Sequence, residues 1–192
     1  PPPPPPPPPR FFLQALAGIR APLWSRGLGD VYKRQMKLIE LSISQKDCEE
    51  ITNFVYQEKK NWKKDLNNVK ALSSGFYPDY DFMHDIGDFC CKNVLPKETN
   101  YPHWHKSCWW VNLYEKGHYT NPHHHNPEEY SMIVIVKPAL EKYCLNFHTE
   151  FSSYKIEERQ GLCLLFESSL KHSVDPVSSD RITIAMDFRK NQ

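Results

Sequence analysis

Apolar residues recur at helical spacing in two stretches of the first half of the chain. In the first stretch the apolar positions are Cys48, Ile51, Phe54, Val55 and Trp62, with Glu and Lys between them. Ser44 followed by Asp47 is a typical helix start. We therefore predict an amphipathic helix over 45–64. A loop follows, and a shorter helix is predicted near 80–94, with Pro96 ending it.

From about residue 107 the pattern changes to short runs of β-branched and aromatic residues separated by turn signals. The predicted strands cover 108–115, 131–137, 143–148, 162–167 and 181–188. Several short strands after two helices favour a mostly β fold with flanking helices, an antiparallel sandwich or barrel. We expect one domain over 36–192, with a helical part in 36–100 and a β core in 105–190.

Residues 1–35 differ in kind from the rest, because they begin with nine prolines and contain a single acidic residue. One interpretation is a targeting peptide, since 10–26 is basic and free of acids. The other is a translation artefact or disordered extension: DVYKRQ at 30–35 resembles a translated sequencing adaptor, and Met36 follows as a natural start. We favour the second interpretation and exclude 1–35 from the domain.

Composition argues against several classes of partner. The net formal charge is +1, which gives no reason to expect nucleic acid or an anionic membrane as a partner. No apolar run approaches the roughly 18 residues that a membrane-spanning helix needs. The six cysteines include no CxxC and no disulfide-like spacing, so we expect free thiols in a cytoplasmic protein.

Histidines cluster in the run NPHHHNP at 121–127. Strand alternation would place His123 and His125 on one face and His124 on the other. Two imidazoles at positions i and i+2 of a strand can bind one metal ion, and a third ligand must come from elsewhere. We predict His172 as that ligand, because it lies just beyond an apolar strand.

Arg181 begins the last predicted strand, RITIAMDF, where Thr183 and Ala185 share its face. An arginine that enters a barrel needs an anionic partner, because an unpaired buried charge is costly. A dicarboxylate would supply such a partner through a bidentate contact.

These residues together resemble the Fe(II)/2-oxoglutarate-dependent oxygenase superfamily. That superfamily carries H-x-[D/E], a distal His some 40–60 residues later, and an Arg or Lys about ten residues beyond. Here His172 follows His123 by 49 residues and Arg181 comes next. The run YEKGHYTNPH at 114–123 is similar to a prolyl-4-hydroxylase-type stretch, and the order of motifs over about 80 residues most resembles small oxygenases of phages and marine bacteria.

The resemblance implies a double-stranded β-helix, or jelly roll, in an enzyme that uses Fe(II), 2-oxoglutarate and O₂. It implies that the metal is held by His123, His125 and His172, and that Arg181, with Tyr114 and Asn112, binds 2-oxoglutarate. The expected reaction hydroxylates a C–H bond of a small molecule or peptide, with succinate and CO₂ as products.

The chain departs from the usual motif at His125, where most of these oxygenases have a carboxylate. The substitution makes the metal site more positive by one charge, and it leaves alternatives open. Glu128 or Glu129 could be the middle ligand. The chain could also be a three-histidine thiol dioxygenase of the cupin type, a non-catalytic metal-binding jelly roll, or a zinc hydrolase, although the last leaves Arg181 without a role.

Overall fold

The computed structural model describes residues 38–66 and 68–191, together with the backbone of Gln14 and Ala15. Its strands are β1 Gln14–Ala15, β2 Leu38–Ser42, β3 Lys63–Leu66, β4 Val69–Ser73, β5 Trp104–Tyr114, β6 Tyr119–His123, β7 Tyr130–Lys137, β8 Leu145–His148, β9 Ser153–Lys155, β10 Leu162–Glu167, β11 Lys171–Val174 and β12 Arg181–Lys190. The helices are α1 Gln45–Glu58, α2 Asp81–Phe89 and α3 Leu95–Thr99, with a 3₁₀ turn at Lys59–Asn61 and a π-helical turn at Cys90–Val94.

The strands pair in the order β1-β2-β10-β7-β12-β5-β4-β6-β11-β8-β9, with β3 joined to β4. Every pairing in the described part of the chain is antiparallel. The mostly antiparallel β fold with flanking helices that we predicted is therefore confirmed.

Alternation along the central strands divides the apolar residues into two cores. On β7, Met132 and Val134 face the helices, whereas Ile133 and Ile135 face the interior of the curled sheet. Such strands are apolar on both faces because helices cover one side and the opposing strands cover the other. The outer core includes Ile51 of α1, and the inner core includes Phe147.

The first helix is shorter than predicted. Its start is confirmed, because the Ser44 hydroxyl accepts a hydrogen bond from the backbone N–H of Asp47, and the Asp47 carboxylate accepts one from the Ser44 N–H. The helix ends at Glu58 rather than at residue 64, and Trp62 already has extended backbone angles. The prediction was wrong at this end because the strand pair β3–β4 takes over the residues that follow.

Pro96 does not end the second helical segment as predicted. It lies in the first turn of α3, where the missing N–H is not required because first-turn amides have no partner within the helix. The π-helical turn of Cys90–Val94 connects α2 to this last helical segment.

The five predicted strands are all present, as β5, β7, β8, β10 and β12. Short strands were missed, and two of them, β6 and β11, build the site described below. Both are four or five residues long and owe their position to pairing partners far away in sequence.

The prediction for 1–35 lies outside the described residues, except that Gln14 and Ala15 pair with Ser42 and Leu41. All six cysteines are free thiols, as expected. Among the described residues, no helix has the length and apolar character needed to cross a membrane.

Two glycines in left-handed turns allow a matched test of the turn that enters β10. Gly161 has φ +81°, and a Cβ there would lie 2.5 Å from the carbonyl oxygen of Ile43, whereas Gly75 has φ +78° and open space around it. Gly75→Ala should lower the free energy of unfolding by about 1–2 kcal/mol, the cost of the left-handed conformation alone. Gly161→Ala should cost at least about 1 kcal/mol more, measured by chemical denaturation. Equal losses would contradict the close packing of this turn.

Candidate metal centre

The register of two short strands brings the first two histidines together. In the antiparallel pair β6–β11, His172 lies directly opposite His123. His125 follows two residues after the end of β6, and its backbone N–H donates to the carbonyl of Ser168 at 2.9 Å. The loop is thereby fixed so that the third ring faces the other two. His124 is exposed and does not belong to this group.

Ring nitrogens of His123, His125 and His172 lie within 4.8 Å of one another, and within the described residues they are the one group with the donors of a metal site. The Nε2 atoms of His123 and His125 are 3.0 Å apart. Two nitrogens that occupy adjacent positions of a metal at about 2.1 Å also lie about 3.0 Å apart. The spacing therefore matches two neighbouring ligands of one ion.

Each Nδ1 atom of this histidine group faces an acceptor. His123 Nδ1 lies 2.9 Å from the carbonyl of Asn121, and His172 Nδ1 lies 3.1 Å from the carbonyl of Leu170. His125 Nδ1 lies 2.7 Å from a carboxylate oxygen of Asp187. Because these oxygens accept, each Nδ1 carries a proton, so Nε2 is the atom of each ring that can present a lone pair to a metal ion. Three lone pairs directed into one space fit a cation.

Burial favours the neutral form of two of these rings, His172 and His123. Burial is the main cause that holds the pKa of His172 well below its ordinary value, and the neighbouring His123 and His125 add to it. Burial likewise lowers the pKa of His123. Neutral imidazole is the form that binds metal. Cys108 is nearby on β5, but burial raises its pKa to about 11, so it is a protonated thiol and not a metal ligand.

A narrow inner cavity of about 30 Å³ connects the histidine group with Arg181. Tyr114 and Asn112 also line it, as their shared strand parity predicts. The Tyr114 hydroxyl is hydrogen-bonded to Thr120 at 2.8 Å. The Oδ1 atom of Asn112 is buried without a hydrogen-bond partner, which is unusual for a polar atom in a protein interior. It is an acceptor available to a ligand in this cavity.

Arg181 is buried and already has an anionic partner. Its Nε and Nη2 atoms donate to the Glu158 carboxylate at 2.8–3.1 Å, and both side chains are almost fully buried. Burial disfavours the charged guanidinium, but attraction to Glu158 outweighs this and raises the pKa of Arg181. Glu158 is thus the anionic partner that a buried arginine requires. Burial of Arg181 therefore does not by itself require a dicarboxylate ligand. The guanidinium has further N–H donors on Nη1 and Nη2.

A wider outer cavity of about 520 Å³ lies in front of the histidines. The two cavities meet at Val69, Trp110, His123 and His125, which line both. Exposed aromatic side chains, Phe76 and Tyr77, stand at the rim of the outer cavity.

Glu128 and Glu129 do not join the metal ligands in this structure. The Glu128 carboxylate accepts from Arg189 Nε at 2.7 Å and is also bonded to Ser107. Neither glutamate belongs to the group of converging donors. His125 is the middle ligand that the geometry offers.

Sequence reasoning missed Asp187 and Glu158. Asp187 could have been found, because it shares the parity of Arg181 on a strand whose other positions are almost all apolar. Ser131 bridges Asp187 and Ser168, with oxygen distances of 2.6 and 2.7 Å. Glu158 lies in a loop 23 residues before Arg181, and no spacing rule connects the two.

The fold is shared with 2-oxoglutarate-Fe(II) oxygenases. A prolyl-4-hydroxylase of Pseudomonas putida superposes with a TM-score of 0.67 at 9% identity, covering 83% of this chain and 95% of that one. A viral collagen prolyl hydroxylase from Paramecium bursaria Chlorella virus-1, solved with 2-oxoglutarate, gives 0.61 at 14% identity, covering 80% and 96%. A Trichoplax adhaerens prolyl hydroxylase gives 0.66 at 15%, covering 83% and 86%.

These likenesses show the jelly-roll architecture, which confirms that prediction at the level of the fold. No family model matches the sequence, and no curated protein matches it.

Adjacent histidines allow a controlled test of metal binding. His123→Ala removes one converging Nε2 atom, whereas His124→Ala removes an exposed ring outside the group. We expect His123→Ala to weaken Co(II) binding more than about 100-fold. Loss of a group that only hydrogen-bonds to a metal ligand already lowers metal affinity about 10- to 100-fold. His124→Ala should bind as the unsubstituted chain does. Isothermal titration measures both, and equal affinities would contradict the site.

The depressed pKa of His172 predicts acid sensitivity of the metal-free protein. Between the folded pKa and the unfolded value of about 6.5, the unfolded chain binds a proton that the folded chain does not. The free energy of unfolding should therefore fall as the pH drops below about 6.5. His172→Gln should flatten this dependence, as measured by denaturation in the presence of a chelator. The same slope in both proteins would be inconsistent with a neutral buried His172.

Proposed function

We propose that this chain is an Fe(II)- and 2-oxoglutarate-dependent dioxygenase, an oxidoreductase that hydroxylates a C–H bond and releases succinate and CO₂. The observation that carries the proposal is the arrangement of the inner cavity. Three imidazoles converge at one end of it, and the buried cation Arg181 lies at the other. The shared fold supports the proposal and adds no information on the substrate.

The residues have separate roles in this proposal. His123, His125 and His172 would hold iron through Nε2, and Arg181 would bind the distal carboxylate of 2-oxoglutarate with N–H groups that Glu158 does not use. Tyr114 and Asn112 line the path between these two ends. When bound with O₂, the metal and keto acid would supply the oxidising chemistry, and the protein would supply position and exclusion of water.

Binding of the keto acid requires the inner cavity to widen. Its volume of about 30 Å³ is room for roughly one or two water molecules. Trp110 and Val69 stand where the inner and outer cavities meet, so displacement of either side chain would join the two spaces. The path for the co-substrate then runs from the outer cavity, past the histidines, towards Arg181.

The substrate would bind in the outer cavity, in front of the metal. Trp110, Phe76 and Tyr77 give this space an aromatic side, and the ion pair of Glu128 with Arg189 gives it a polar side. A small molecule or a peptide side chain with an apolar part would fit such a lining.

The second candidate is a three-histidine thiol dioxygenase, which needs iron but no 2-oxoglutarate. The absence of a carboxylate from the converging donors favours it. The Arg181–Glu158 pair also fits it, because the arginine is then a structural residue of the interior. Dependence on 2-oxoglutarate separates the two functions.

The test uses paired variants, because removing Arg181 alone would leave Glu158 as an uncompensated buried charge, at a cost of about 3–5 kcal/mol. The double variant Arg181→Met/Glu158→Gln removes both charges. Glu158→Gln alone keeps the arginine and is also expected to lower stability, although its amide oxygen can still accept from the guanidinium. Fe(II) and 2-oxoglutarate are added without oxygen, and the weak visible charge-transfer band of the chelated keto acid is titrated. We expect the band in the unsubstituted protein and in Glu158→Gln, and at least about tenfold weaker 2-oxoglutarate binding in the double variant.

Succinate formed after oxygen is admitted provides the second readout. A protein that binds iron yet shows neither the band nor succinate would exclude the proposed function and favour the thiol dioxygenase. Bands of equal affinity in all three proteins would remove Arg181 from the co-substrate site.

A further inference from the structure

Asp187 is a buried carboxylate directly behind the middle histidine. It lies on β12, with its side chain 7% exposed, and its Oδ1 accepts from His125 Nδ1 at 2.7 Å. The Ser131 hydroxyl donates to the same oxygen at 2.6 Å. No lysine or arginine in residues 38–66 and 68–191 forms an ion pair with it; His125 is its one basic partner there.

We propose that Asp187 is the positioning residue of the metal centre, and that through His125 it supplies the negative charge that a carboxylate ligand supplies in the usual two-histidine site. This inference rests on the proposed function, because it concerns the metal that the three histidines would hold.

Asp187 balances part of the charge of the bound metal ion. Two histidines and one carboxylate reduce the charge of a divalent ion by one unit, whereas three neutral histidines leave it unchanged. Asp187 supplies the same unit of negative charge from behind the ligand, across the hydrogen-bonded ring of His125. The departure from the usual motif at His125 is thus compensated within the same site.

The negative charge of Asp187 itself needs an explanation. An asparagine at this position could accept the hydrogen bonds from His125 and Ser131 without the cost of burying a carboxylate. Interior neighbours on the same face of β12 are the uncharged Ala185 and Thr183. A cation at Nε2 of His125 would stabilise a charged side chain held here.

Asp187 also fixes the orientation of the His125 ring. A carboxylate that accepts from Nδ1 fixes the tautomer and the rotation of the ring and makes Nε2 a stronger donor to metal. Asp187 is itself held by Ser131, which is also bonded to Ser168, and the Ser168 carbonyl holds the backbone of His125. The histidine and its carboxylate are therefore fixed by the same two serines.

The test is the Co(II) affinity of Asp187→Asn, measured in competition with a fluorescent chelator. Asparagine keeps the size and the acceptor oxygen and removes the charge. We expect affinity to fall about 10- to 100-fold, as for other carboxylates behind metal-bound histidines. The thermal midpoint of the metal-free protein should not fall, since a buried charge is removed. The matched control is Asp79→Asn, which removes the same charge from a side chain that is 98% exposed, and it should leave affinity unchanged.

The outcomes distinguish this inference from the proposed function. If the unsubstituted protein does not bind Co(II), the metal centre itself is wrong. If it binds and Asp187→Asn binds equally well, the role of Asp187 is overturned and the proposed function stands. A variant that loses metal-free stability while keeping its affinity would make Asp187 a structural residue.

A measurement on the unsubstituted protein does not depend on the folding of any variant. Imidazole ¹⁵N–¹H spectra of the Zn(II) complex should show His125 protonated on Nδ1 and ligated through Nε2. Ligation through Nδ1 would contradict the inference, because Asp187 could not then accept a hydrogen bond from that atom.

Discussion

The site depends on one constraint: three imidazole lone pairs are held towards the same small space. Neutral rings arranged in this way gain nothing from one another, and the Nε2 atoms of His123 and His125 are only 3.0 Å apart. The arrangement persists because each Nδ1 is bonded to a fixed acceptor and because the β6–β11 register sets His172 opposite His123. The three lone pairs held together destabilise the metal-free protein. A bound cation attracts all three and so stabilises the folded state.

The interior face of β12 organises the remaining charges. Arg181 stands at one end of this face and Asp187 at the other, with Thr183 and Ala185 between them, and each charged group has a buried partner of its own. Arg181 is neutralised by Glu158, and Asp187 is bonded to His125. Alternation along a single strand therefore links the metal-binding end of the cavity with its cationic end.

Much of this could be predicted from sequence because strand alternation is a local property. It gave the inward face of β12, the shared face of Asn112 and Tyr114, and the five strands β5, β7, β8, β10 and β12. The strands β6 (YTNPH) and β11 (KHSV) escaped prediction, because they contain few apolar residues and are determined by long-range pairing. Glu158 was not predicted either, because only long-range folding brings it next to Arg181. The ion pair between the two side chains was therefore missed as well. Asp187 was visible in the sequence as an acid on an inward position of an apolar strand.

The central claim is that the histidines and Arg181 form the two ends of a single binding site. A crystal structure of the full chain with Mn(II) and 2-oxoglutarate tests it most directly. The account predicts one metal on the Nε2 atoms of His123, His125 and His172, with the distal carboxylate of the keto acid on Arg181 and the inner cavity widened. A metal bound elsewhere, or a keto acid bound away from Arg181 with the inner cavity still closed, would contradict it.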